Sequence, residues 1–239
     1  MRPLSLLFTA AAVVLLSARV EAQVGHAPGA SPYRDIPPGH SISAQYGWLG
    51  GSGGSLHLGP HSGSVYGVRY DVRTNQLLQL GLDVGRGDLD RFIQNPFVRL
   101  VDRVQGPVSQ SVSFAEAAIQ LNLSGSKSWH RLAPFFGVGF GVAFGGKSPA
   151  ADTSGYRFKN KFYFAPTLGT RLFLTDRLHL RLEARSAFWK LSYPTSFTQE
   201  PPLEPGNSTK SNAVITNNQL SEWTATPWLR VGLAYSFTP

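Results

Sequence analysis

Cysteine is absent from the 239 residues, which excludes a disulfide framework, a thiolate metal site and a cysteine nucleophile. Charge is sparse as well, at 15% of residues. The 14 acidic residues are outnumbered by 22 basic ones, for a formal net charge of +8. Nucleic-acid binders gather such residues on one face. Here they are scattered, so nucleic acid is not expected as a partner. Long apolar runs are also missing after the N-terminus, where no stretch reaches the ~18 continuous apolar residues of a spanning helix. The length suits one or two domains, and a single one of this size buries a sizeable core.

The N-terminus reads MRPLSLLFTAAAVVLLSARVEAQ. Arg2 supplies a positive start, Leu4 to Leu16 are apolar apart from Ser5 and Thr9, and Val20-Glu21-Ala22 offers slim residues for cleavage. Residues 1–22 are therefore expected to be a signal peptide cut after Ala22. The run is too short for the ~20 residues of a membrane-spanning helix. Residues 23–40, rich in Pro, Gly and Ala, read as a flexible leader.

Gly141 to Ser148, GVAFGGKS, satisfies the phosphate-loop pattern G-x-x-x-x-G-K-[ST]. A working phosphate loop needs a helix directly after Lys-Ser, so that its N-terminal amides face the phosphates. Pro149 to Gly155 reads instead as a loop without helical period. No nucleotide is expected.

The segment Leu132–Phe144 explains those glycines differently. Leu132, Phe136, Val138, Phe140, Val142 and Phe144 alternate with Ala133, Gly137, Gly139, Gly141 and Ala143, which is the two-residue period of a strand. Seven other segments alternate in the same way: 41–49, 64–73, 77–85, 114–123, 158–174, 178–190 and 223–237. In several of them an apolar row opposes a charged or polar one, as with Leu180 and Leu182 against Arg181 and Glu183, or Leu229, Val231 and Leu233 against Arg230. Eight strands of roughly nine or more residues match a tilted bilayer crossing. A closed barrel is the only sheet without an open edge in lipid. The fold expected is thus all-β, an eight-stranded antiparallel transmembrane up-and-down barrel over 41–239, with apolar rows towards lipid and polar rows in the lumen. The connections alternate between short (73–76, 124–130, 175–177) and long (50–63, 86–111, 145–157, 192–221). Trp48, Phe144, Phe158, Phe188 and Trp223 fall towards one interface, and Tyr70, Tyr235 and Phe237 towards the other.

On this pattern, and on the closing segment LRVGLAYSF (Leu229–Phe237), the chain resembles the small eight-stranded bacterial outer-membrane proteins of the OmpA, OmpX and opacity-protein type, from Ser41 to Phe237. The resemblance implies the outer membrane as location, with a periplasmic leader, short periplasmic turns and four long external loops. It also implies outer-membrane lipid, lipopolysaccharide and the barrel-insertion machinery as partners, and a monomer.

Candidate sites are few. Inward charges (Arg69, Asp71, Asp83, Glu116, Lys161, Arg171, Arg181, Glu183, Arg185 and Arg230) read as a lumenal ion-pair network in preference to an ion path, because eight strands leave little room. A serine esterase needs Ser, His and an acid to converge. His179 and Glu183 share a face, whereas Ser186 has the opposite parity. His57 and His61 lack a nearby carboxylate to complete a metal site. In the loop 86–111, Leu89, Phe92, Ile93, Phe97, Leu100, Val101 and Val104 recur at helical spacing behind a possible cap at Asp88. Pro96 argues for a kinked helix or an irregular segment, and an interfacial helix would put Arg91, Arg99 and Arg103 near lipid phosphates. The reading is a non-catalytic envelope protein with no cofactor and no metal. A lipid A-modifying enzyme and a narrow pore are the alternatives.

Overall fold

The computed structural model describes residues 31–36 and 39–238. The signal peptide expected over 1–22, its cleavage after Ala22 and most of the leader lie outside the described residues. Ten strands run antiparallel: β1 (Tyr33–Asp35), β2 (His40–Leu49), β3 (Ser62–Arg73), β4 (Leu78–Gln94), β5 (Val104–Asn122), β6 (Lys127–Trp129), β7 (Leu132–Gly145), β8 (Lys161–Phe173), β9 (Leu178–Ser192) and β10 (Ser221–Phe237). Eight of them form a ring in the order β2-β3-β4-β5-β7-β8-β9-β10, closed by β10 against β2 from Trp228↔Leu49 to Phe237↔His40. Each ring strand therefore has a partner on both sides, as lipid demands of a spanning sheet. β1 and β6 pair with each other at the end of the short turns. Tyr33–Asp35, within the segment read as a flexible leader, is thus a strand.

The alternation read from the sequence is the in–out pattern of the ring. Leu182, Leu229, Val231 and Leu233 are exposed on the outside, while Arg181, Glu183 and Arg230 are buried. In β7 the glycines face inward, where a Cβ at Gly139 would come within 2.3 Å of the Glu116 carboxylate and one at Gly141 within 2.7 Å of the Tyr163 ring. Small residues on this strand give larger lumenal neighbours their space. Pro166 pairs with Val138 of β7, but the β8–β9 register passes from Phe164↔Phe188 to Thr167↔Arg185 without it. A residue with no N–H opens the ladder there.

Two further expectations fail. The segment 86–111 is neither a free loop nor a helix, because β4 and β5 continue through it in register from Arg86↔Ser113 to Gln94↔Val104, with an irregularity between Arg91 and Ile93. Only 95–103 is a loop, with a single 3-10 turn at Leu100–Asp102. Leu89, Ile93 and Val112 point inward and are buried, so the strand period governs residues that also fit a helical one. Beyond Val84, the last exposed apolar residue of β4, the hairpin rises roughly 30 Å along the strand. Its outward side there carries Arg86, Asp88 and Asp90, so it stands above the apolar band. The second failure is Phe158, assigned to an interface girdle. It precedes β8, turns into the barrel end and is fully buried.

Candidate functional site

The middle of the lumen is a charge network. Four guanidinium groups (Arg69, Arg181, Arg185, Arg230) meet four carboxylates (Asp71, Asp83, Glu116, Glu183), while a fifth, Arg171, donates to the side-chain amides of Gln79 and Asn122, and all nine charged residues are buried. Arg69 Nε donates to Asp71 Oδ1 at 2.9 Å, and Arg181 lies 2.6 Å from Glu183. Arg230 bridges Glu183 at 2.8 Å through Nε and Asp83 at 2.7 Å through Nη1. Arg185 pairs with Glu116. Aromatic rings complete the packing: Arg185 and Arg230 lie 4.8 and 4.9 Å from the Trp228 ring centre, and Arg181 lies 4.4 Å from that of Phe135. Charges out of water are tolerable only when paired and hydrogen-bonded in this way. Lys161, also assigned to this set, sits at the loop-end rim with Nζ 3.4 Å from Ser192 Oγ.

The loop end is closed by an apolar cluster. Phe114, Tyr163, Trp189 and Trp228 from the strands pack with Leu58, Tyr156, Phe158, Tyr193, Phe197 and Ile215 from the connections 50–61, 146–160 and 193–220. Polar contacts brace the same connections. Phe92 N donates to His57 O at 3.0 Å, Asn95 Nδ2 to Thr153 Oγ1 at 2.8 Å, and Leu100 N to Glu204 Oε2 at 2.9 Å. Glu222 accepts from Ser55 N at 2.8 Å and from the Tyr193 hydroxyl. Burial, and then that bond to Glu222, push the Tyr193 phenol well above its ordinary pKa. Arg91 of β4, expected near lipid phosphates, is fully buried and pairs with Asp152 of the connection 146–160. Arg99 pairs with Asp102 at 3.1 Å on the exposed tip. Sequence reasoning missed this plug, since its members come from three connections that only the closed ring brings together.

At the turn end a cavity of about 290 Å³ remains, lined by Arg73, Gln79, Arg171, Phe173, His179 and Ser236 among others. His179 and Glu183 face the lumen as their parity predicts, while Ser186 lies on the outward row. The serine near His179 is Ser236, whose Oγ is 3.5 Å from Nδ1, at the limit of a hydrogen bond. Two carboxylates line this cavity, Asp71 and Asp176, and Asp71 is held by Arg69 and Arg181.

The remaining motifs resolve in the same way. Gly141–Gly145 belongs to β7, and residues 146–160 form a loop, so no helix follows Ser148. The rings of His57 and His61 are 6.4 Å apart, and each directs Nδ1 at a carbonyl, Ser52 O and Gly59 O respectively. His61 stacks on Phe92. Their roles in this structure are loop packing.

No protein-family model matches the chain, and no curated protein sequence matches it. Among solved structures the chain is similar to the outer-membrane protein OprG of Pseudomonas aeruginosa, with 11% identity, 86% of this chain and 99% of that one covered, and a TM-score of 0.50. It is also similar to Neisserial surface protein A, with 11% identity, 87% and 98% covered, and a TM-score of 0.48. At such identity the likeness to OprG concerns the fold alone, and that fold is the small eight-stranded barrel of outer-membrane proteins.

Proposed function

We propose that the chain is exported through residues 1–22, cleaved after Ala22, and inserted into the bacterial outer membrane as a monomeric, non-catalytic barrel. The outward apolar rows lie in lipid, the short turns face the periplasm and the four long connections face outside. Its role is structural and surface-interactive, exerted through the braced external connections. The observation that carries this reading is the double closure of the lumen, by the ion-pair network in the middle and the aromatic plug at the loop end. Such a lumen favours a display scaffold over a pore, since bulky side chains fill the path that ions would take. The separation of Ser186 from His179 and Glu183 weighs against an esterase built on these residues. Planar-bilayer recording tests the reading. No stepwise conductance is expected from the folded protein, and a stable open level would favour the pore.

A further inference from the structure

The connection 146–160 contains a cleft that the lumen does not use. Lys147, Ser148, Arg157 and Lys159 line it with Gly145, Gly146 and Phe158, around a volume of about 420 Å³. No carboxylate is among these residues, and the three cations have no hydrogen-bond or ion-pair partner among the described residues. The amides of Lys147 and Ser148 also donate to no carbonyl there. The glycines fix the shape. A Cβ at Gly145 would lie 2.9 Å from Lys159 O, so a larger residue there would push the two arms of the cleft apart, and one at Gly146 would lie 2.7 Å from Ser111 O of β5.

Position adds the second observation. Phe144, the last outward residue of β7, and Phe162, the first of β8, are both exposed on the apolar face. Lys147 and Lys159 each stand three positions beyond these rings, within about 10 Å along the chain. Aromatic girdles sit at headgroup level, so the cleft stands at the height of the headgroup layer on the loop side. Unpaired cations beside free backbone amides suit an anion with several acceptor oxygens. Phosphate is the anion that a bilayer surface supplies there.

We propose that the Lys147–Arg157–Lys159 cleft binds the phosphate of a membrane-lipid headgroup. The inference rests on the placement of the barrel in the membrane. It also gives the GGKS segment a use unlike that of a nucleotide loop.

Native mass spectrometry of the detergent-solubilised barrel tests the site with four probes: bisphosphorylated lipid A, its dephosphorylated form, phosphatidylglycerol and ATP. One or both phosphorylated lipids should be retained, and the more tightly held one names the lipid class. The triple variant Lys147→Ala, Arg157→Ala, Lys159→Ala should lose about tenfold or more in affinity, the equivalent of at least one charge-assisted hydrogen bond. The variant Lys147→Arg, Lys159→Arg should keep it. Equal retention by wild type and triple variant would overturn the proposal, as would equal binding of dephosphorylated lipid A. Lys147-dependent ATP binding at the same strength would make the cleft a soluble-anion site and overturn it too. A heat-dependent shift on a gel reports folding of each variant, so loss of the barrel is distinguished from loss of the cleft. If the triple variant does not fold, Arg157→Gln replaces it, and retention that is unchanged by both that substitution and added salt rejects the site.

Discussion

Single side chains in this protein obey two solvents, and the sign of a substitution depends on which one it meets. Leu182 projects outward between Arg181 and Glu183, both fully enclosed. Placing Arg at Leu182 should cost roughly 2–4 kcal/mol if the position lies near the bilayer midplane, measured by folding titrations in liposomes. The opposite substitution is expected to be at least as harmful. Glu183 serves Arg181 and Arg230 together, so Glu183→Gln leaves two buried guanidinium groups short of a carboxylate. Breaking a buried pair in this way costs about 3–5 kcal/mol, and the same titrations should show it. An unchanged midpoint for Glu183→Gln would mean that water reaches the network.

At the scale of elements, most of the barrel was legible from period two, since inside and outside differ so sharply in chemistry that parity fixes each strand's register. Ser186 against His179 and Glu183 was settled by parity alone. The hairpin above the membrane was not. Between 86 and 94 its outward side carries Arg86, Asp88 and Asp90 in place of leucines. Its inward residues meet the folded-in connections, so the same apolar spacing also fits a helix. Phe158 was unreadable for a related reason: it lies outside any strand, where parity carries no information. The connection 193–220 shows how such elements are held. The Glu200 carboxylate accepts from Ser211 Oγ, from Gly206 N at 2.7 Å and from Asn212 N at 3.1 Å. The Ser211 hydroxyl first, and then the Gly206 amide, hold its pKa below the ordinary carboxylate value. A depressed folded pKa contributes stability that is present above the unfolded value and lost as pH falls through the folded one. Amide-exchange protection at Gly206 and Asn212, corrected for intrinsic rates, should therefore persist at neutral pH and fall in acid. Glu200→Gln should remove that pH dependence, and identical profiles for the two proteins would exclude Glu200 as the anchor.

As a whole, the molecule is a closed barrel whose outside is lipid and whose inside is filled by its own side chains. β10 tests both halves at once, because Leu229, Val231 and Leu233 are exposed on the outer face while Trp228, Arg230 and Ala234 are buried within. A nitroxide placed in turn at each position from 228 to 234, in protein reconstituted into bilayers, reports collision with oxygen dissolved in lipid and with a water-soluble nickel complex. Strong oxygen contact is expected at 229, 231 and 233 and little contact with either reagent at 228, 230, 232 and 234, and so a two-residue period in oxygen alone. A matching period in the nickel reagent at the even positions would reveal a water-filled lumen and contradict the closed barrel. Nickel contact at the odd positions would contradict the membrane itself.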